Sequence, residues 1–151
     1  MLLHDRRIPH RGRANIDHIA VGPGGITVID TKSARGRLQV EKRGGWVSPR
    51  HEVLLINGRH RTQLVDGLQR QIEAVRTVIA ELAAGEADVR GALCFPSLDR
   101  LPRHAQLTIH SETIMIATPR GIATLARRTG PLTQDLIDRI SGQLARRFPP
   151  A

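Results

Sequence analysis

The stretch IDHIAVGPGGITVIDTK, residues 16 to 32, sets one aspartate near each end of an otherwise apolar run and a lysine just beyond the second. Apolar and β-branched residues flank Gly22-Pro23-Gly24-Gly25, which reads as a strand, a tight turn and a strand. Centring the turn on Pro23-Gly24 sets Val21 opposite Ile26, Ile19 opposite Val28 and Asp17 opposite Asp30. Side chains alternate between the faces of a strand. One face therefore carries Asp17, Ile19, Val21, Ile26, Val28, Asp30 and Lys32, and the other carries His18, Ala20, Thr27 and Ile29.

Two carboxylates opposed on a sheet destabilise it by up to about 1 kcal/mol when exposed, and by more when buried. A divalent cation between them would remove the repulsion, and carboxylate oxygens suit Mg²⁺ or Mn²⁺. Lys32 lies one pleat along, about 7 Å away. It could orient or deprotonate a metal-bound water, or stabilise charge developing on a phosphate. The alternative is that both acids sit at fraying strand ends and face water. Lys32 would then be an ordinary ion-pair partner worth about 0 to 1 kcal/mol.

The elements around this hairpin follow from periodicity. Leu2-Leu3 suggests a strand or edge segment, and residues 37 to 41 and 46 to 56 continue a strand pattern up to a turn at Asn57-Gly58. Residues 63 to 84 change period. Leu64, Leu68, Ile72, Val75, Ile79 and Leu82 recur at three and four, which predicts an amphipathic helix ending near Gly85. Residues 89 to 95 read as a buried strand, and 106 to 110 with 113 to 117 as a short strand pair. A short helix over 119 to 126 and a final helix capped by Thr133, with Leu136, Ile137, Ile140 and Leu144 on one face, complete the chain. The order predicts an α/β fold with a mixed central sheet flanked by helices.

The chain has 151 residues and a formal charge of +9, with pI about 11.5. This length fits one domain over residues 1–151, and the charge points to a polyanionic partner. The 23 basic residues are all arginine except Lys32 and Lys42, which gives a lysine beside Asp30 added weight. Trp46, Phe95 and Phe148 are the only aromatic residues besides the histidines, which argues against binding nucleic acid on stacking platforms. Cys94 alone excludes an internal disulfide or a multi-cysteine zinc site. The seven histidines show no metal-ligand spacing. The glycine turn lacks the Gly-Lys-Ser/Thr ending of a phosphate loop and leads into a strand. No leader-like segment is seen and the longest apolar run falls well short of a membrane span, so a cytoplasmic location is expected.

Ile16-Asp17-His18, then Gly24-Gly25, then Asp30-Thr31-Lys32, then Gly36, at this spacing, resembles the NERD (nuclease-related) domain, a branch of the PD-(D/E)XK nuclease superfamily. The likeness extends through the helix and the GALCF strand. It implies a restriction-endonuclease-like fold and a metal-dependent phosphodiesterase acting on DNA, with Mg²⁺ or Mn²⁺ as cofactor. By that resemblance Asp17 and Asp30 would hold the metal together with the carbonyl of Thr31, and Lys32 would be the catalytic lysine. The family also carries a glutamine on the helix. Of Gln69 and Gln71, Gln71 flanks the sheet-facing stripe and is the choice. Two departures stand out. Asp30 replaces the more usual glutamate. The family pattern also opens with a helix bearing a Gly-Glu pair, whereas Met1-Leu2-Leu3-His4-Asp5 resembles the strand that follows that helix. The chain is therefore expected to be truncated at its N-terminus relative to the family, and to associate with itself through the sheet surface so uncovered.

Arginines 6, 7, 11, 13, 35, 37, 43, 59 and 61 cluster in the strand half. Arg13, Arg35, Arg37 and Arg43 are the expected contacts to a phosphate backbone. The competing reading is a non-catalytic basic DNA-binding or assembly domain with a nuclease-like fold.

Overall fold

A computed structural model describes residues 1–9, 14–46, 51–82, 87–98, 105–109 and 112–151. In chain order its elements are β1 (Leu2–Arg7), β2 (Asn15–Gly22), β3 (Gly25–Thr31), β4 (Leu38–Arg43), β5 (His51–Ile56), β6 (Arg59–His60), α1 (Gln63–Glu81), β7 (Val89–Cys94), β8 (Ala105–Ile109), β9 (Glu112–Ala117), α2 (Pro119–Ala126) and α3 (Gln134–Arg147). The expected start of the strand at 46 and the expected helix stop at Gly85 lie next to or within segments outside the described residues.

The hairpin forms in the register that its turn dictates. Val21 pairs with Ile26, Ile19 with Val28 and His18 with Ile29. It seeds a six-stranded sheet of order β1-β2-β3-β7-β9-β8, in which β3, β7 and β9 run parallel and the outer strands antiparallel. A mixed sheet with helices on both faces is the expected α/β architecture, consistent with a restriction-endonuclease-like fold. A second, three-stranded sheet, β4-β5-β6, packs against β8. Its last turn is tight because Asn57 and Gly58 both take positive φ, 51° and 73°, as a two-residue hairpin loop of this hand requires.

One face of the large sheet presents Ile19, Val21, Ile26 and Val28 to a core completed by α1 and α3. α1 contributes Val65, Leu68, Ile72, Val75, Val78 and Ile79, and α3 contributes Ile137, Ile140 and Leu144. The opposite face presents Ala20, Ile29, Ala92 and Cys94 to Ile122 of α2. Thr118 caps α2 by accepting from the Gly121 N–H, and Thr133 caps α3 by accepting from the Leu136 N–H. Thr62 at the start of α1 does not cap. Its hydroxyl accepts instead from the Leu54 N–H, tying the helix to β5. The chain end runs beside β1, where Arg7 N–H bonds Pro149 and Ala151 N–H bonds Asp5, so part of this sheet edge is occupied. No helix among the described residues is long and apolar enough to cross a membrane.

α1 lies close on the sheet because β7 has a glycine beneath it. A Cβ at Gly91 would stand 2.5 Å from Ile72 Cδ1, 2.9 Å from Ile114 Cδ1 and 3.1 Å from Leu68 Cδ2. All three side chains are almost wholly buried, so they have little room to move aside. Gly91→Ala is expected to destabilise the protein by about 1–3 kcal/mol through overpacking, read as a lower urea midpoint.

Candidate active site

Asp30 lies on β3 and faces the α1 side of the sheet with Ile26 and Val28, and its side chain is only 4% exposed. A buried carboxylate needs a partner. Lys32 supplies one, with Nζ 2.7 Å from Asp30 Oδ1. The lysine stands just past the strand end, and its own N–H donates to the Cys94 carbonyl, extending the β3–β7 pairing by one residue. Burial nonetheless holds the Asp30 carboxyl above the usual aspartate range. The hydrogen bond and charge of Lys32 pull it down, and the Asp17 carboxyl beside it pushes it up again.

Asp17 reaches this position by a break in the strand pattern. The expected backbone pairing of Asp17 with Asp30 does not form, and the ladder ends at His18 and Ile29. Instead the Asp17 carboxylate itself accepts from the Thr31 N–H, Oδ2 to N 2.8 Å. On the other side Asp5, which the register would set against Asp17, takes a left-handed φ of 44° and drops out of the β1–β2 ladder. Aspartate tolerates that conformation better than most residues. The alternation shifts at this point. Ile16 and Ile19 both enter the α1/α3 core, as do Leu3 and Ile8, although unbroken strands would send each pair to opposite faces.

Gln71 lies between Leu68 and Ile72 on α1, which pack over Gly91, and Gly91 pairs with Val28 two residues before Asp30. Its Oε1 is buried and, among the described residues, has no hydrogen-bond partner. An orphaned buried oxygen on the side of the sheet that bears Asp30 and Lys32 is a cost that a bound water or ion would remove. The donors therefore fit a hard cation. Two carboxylates with neutral oxygens nearby match the way Mg²⁺ is held, by one or two acids with waters filling the remaining positions. Among the described residues no group of three or more His, Cys, Asp or Glu gathers. His18 faces away from the site and meets His4 edge-on, Nδ1 to Nδ1 2.9 Å. Burial and the His4 charge hold it below the ordinary histidine range.

Of the expected phosphate contacts, Arg35 and Arg37 lie in the segment after β3, exposed and close to Lys32 in the chain. Arg43 is brought elsewhere. It ends β4 at the opposite end from Leu38, five residues and about 16 Å away, and pairs with Glu41. Arg13 lies outside the described residues. The structure adds residues that the selection from sequence passed over. A cleft of about 640 Å³ is lined by Lys32, Arg35, Asn57, Arg59, Arg61 and Leu64, among others. Asn57 shapes its rim: its side chain accepts from the Arg37 N–H and donates to the Arg35 carbonyl. Gly36 between them has φ 103°, and a Cβ there would collide with the Asn57 amide. The signals available in the sequence were the Asn57-Gly58 turn and the arginines directly after it.

A family model, the nuclease-related domain (NERD), matches residues 1–96. The chain belongs to the nuclease-related domain family. The match spans β1 through β7, and with them Asp17, Asp30, Lys32 and Gln71. No curated protein and no solved structure matches this NERD domain.

Two outcomes are expected from this geometry. A carboxyl raised by folding contributes stability that is fully present below its unfolded pKa, about 3.9, and lost as pH rises through the folded value. Asp30→Asn removes that loss. In EDTA its melting temperature relative to the parent should therefore rise between pH 4 and pH 8, as read by differential scanning fluorimetry. Gly36→Ala should lower stability by about 1–3 kcal/mol, from a strained φ and a displaced Asn57, seen as an earlier urea transition.

Proposed function

We propose that this NERD domain hydrolyses DNA phosphodiester bonds with the help of a divalent cation, Mg²⁺ or Mn²⁺. The observation that carries the reading is the pairing of a buried Asp30 with Asp17 at one strand end, beside a lysine amine 2.7 Å away. Structural ion pairs do not need a second acid that raises the energy of the first. A cation site does, because each carboxylate then gains from the same charge.

Asp17 and Asp30, with the Thr31 carbonyl, would hold the cation, which when bound supplies a Lewis acid opposite the charge that builds on the phosphate. The Thr31 N–H fixes the Asp17 carboxylate through Oδ2, beside the Asp30 carboxyl. Lys32 would set a positive charge where the phosphoryl oxygens gather negative charge as phosphorus becomes five-coordinate, and the low local dielectric strengthens that attraction. Gln71 carries a buried, unpartnered carbonyl oxygen on α1; turned to the site, it would accept a hydrogen bond from water and so orient it. Arg35 and Arg37 are charges for the strand on either side of the reacting bond. Water adds its oxygen to phosphorus, the bond to one strand breaks, and one product end carries phosphate while the other carries hydroxyl.

Incubation with supercoiled and linear DNA in Mg²⁺ or Mn²⁺ tests this. Cleavage is expected, with loss in EDTA and in Asp30→Ala. Lys32→Ala should lower the rate about 100-fold or more and Gln71→Ala about tenfold. Cleavage undiminished by Asp30→Ala would sink the reading.

A further inference from the structure

The cleft beside Lys32 collects basic side chains that the fold leaves unused. Some basic groups on the described surface meet acids: Lys42 meets Glu52, Arg43 meets Glu41, Arg76 meets Glu112, Arg90 meets Asp88 and Arg147 meets Glu81, while others, Arg7, Arg70, Arg120, Arg127 and Arg128 among them, are scattered over the surface without one. Arg35, Arg59 and Arg61 have no carboxylate within 4.0 Å among the described residues, and all three line one cleft. They arrive there from different directions. Arg35 comes from the segment after β3, Arg59 from β6 and Arg61 from the residue leading into α1. Three guanidinium groups around one concavity raise the local concentration of anions there.

The shape of the charge narrows the anion. A duplex tracked along its backbone spreads phosphates in a row and calls for a stripe of cations. Here the free arginines converge on a single cleft of about 640 Å³, within the size range of small-ligand pockets. A terminal phosphate monoester carries about −1.5 to −2 charges and three acceptor oxygens, against one charge for each internal diester. Guanidinium forks match such oxygens in pairs. The remaining wall is aliphatic, Ala34, Ile56 and Leu64, with no aromatic ring on which a base could stack.

We propose that this cleft binds the phosphorylated end of a nucleic-acid strand through Arg35, Arg59 and Arg61, next to the bond at which the strand is cut. The location beside a cut bond rests on the hydrolytic reading given above, whereas the phosphate binding does not. The consequence is a preference for strand ends over interior positions. Asn57 is then a positioning residue. Its amide fixes the backbone on both sides of Gly36 and so holds the segment that carries Arg35 at the cleft wall.

The test measures binding apart from cleavage. Short single-stranded DNA oligonucleotides ending in a 5′-phosphate, in a 3′-phosphate, or in hydroxyls at both ends are titrated in EDTA and followed by fluorescence anisotropy. One phosphorylated form is expected to bind about tenfold tighter than the hydroxyl form, and which one identifies the end that is held. Arg59→Ala with Arg61→Ala should abolish that difference. Both side chains are exposed, and an unchanged melting temperature confirms the fold. Equal binding of all three oligonucleotides by the parent, or a preference that survives the double substitution, overturns the proposal. Cleavage of linear DNA by the parent and by Asp30→Asn keeps the two readings apart. Asp30-dependent cleavage without a phosphate preference removes the pocket and leaves the nuclease. A phosphate preference without Asp30-dependent cleavage removes the nuclease and leaves the pocket as a phosphate receptor.

Discussion

Two carboxylates held side by side at the edge of a buried face constrain everything around them. Asp30 alone beneath α1 would be costly, and Asp17 beside it adds repulsion. The chain answers with three devices. Lys32 sets its amine against Asp30. The Thr31 N–H gives up a ladder partner to satisfy Asp17. Asp5 leaves the β1–β2 ladder in a left-handed conformation, so the strands can change facing at that point. Each device is local, yet together they determine where β2 stops pairing with β3 and how Ile8 and Ile16 reach the core. A fold selected only for stability gains nothing from this arrangement, since an apolar pair in place of Asp17 and Asp30 would pack without it.

The two sheets divide the work. The six-stranded sheet and α1 are tightly packed, with Leu68 and Ile72 lying close over a glycine, and they carry the acids and Gln71. The three-stranded sheet brings Arg59 and Arg61 alongside through a two-residue turn, while the Thr62 hydroxyl anchors the next helix to β5. On the proposed reading, the groups that need placement within a fraction of an ångström sit on the first unit. Contacts that need only charge at roughly the right place sit on the second. Asn57 joins them by bonding the backbone on both sides of Gly36.

Much of this was legible in the sequence, for identifiable reasons. The hairpin register follows from its turn, and alternation then assigns Ile19, Val21, Ile26 and Val28 to one face and Ala20 and Ile29 to the other, as observed. α1, α2 and α3 follow from periodicity and from Thr and Pro punctuation. The family was legible because Ile-Asp-His, the glycine turn and Asp-x-Lys are all local signals, and the nuclease-related family match bears that out. What escaped was non-local. No rule of strand pairing foresees a side chain taking the place of a ladder bond, as Asp17 does. The choice of Arg43 rested on closeness in sequence, but β4 carries it away from the site strand end. Arg59 and Arg61 converge with Arg35 only because the β5–β6 hairpin folds back onto the segment after β3.

The composition closes the argument. A chain with a formal charge of +9 and almost no aromatic residues has few means of reading bases. Both phenylalanines are buried and the cleft is lined by no aromatic residue, so stacking is left to Trp46 alone, exposed past the end of β4. What remains is the phosphate, met by guanidinium groups that no carboxylate neutralises. Recognition of that kind is indifferent to sequence and strongly dependent on salt. Any selectivity it has must come from where phosphates are and how much charge each carries. A cleft that gathers three unpaired arginines beside Lys32 would, on the proposal above, distinguish a strand end from its interior on those two properties alone.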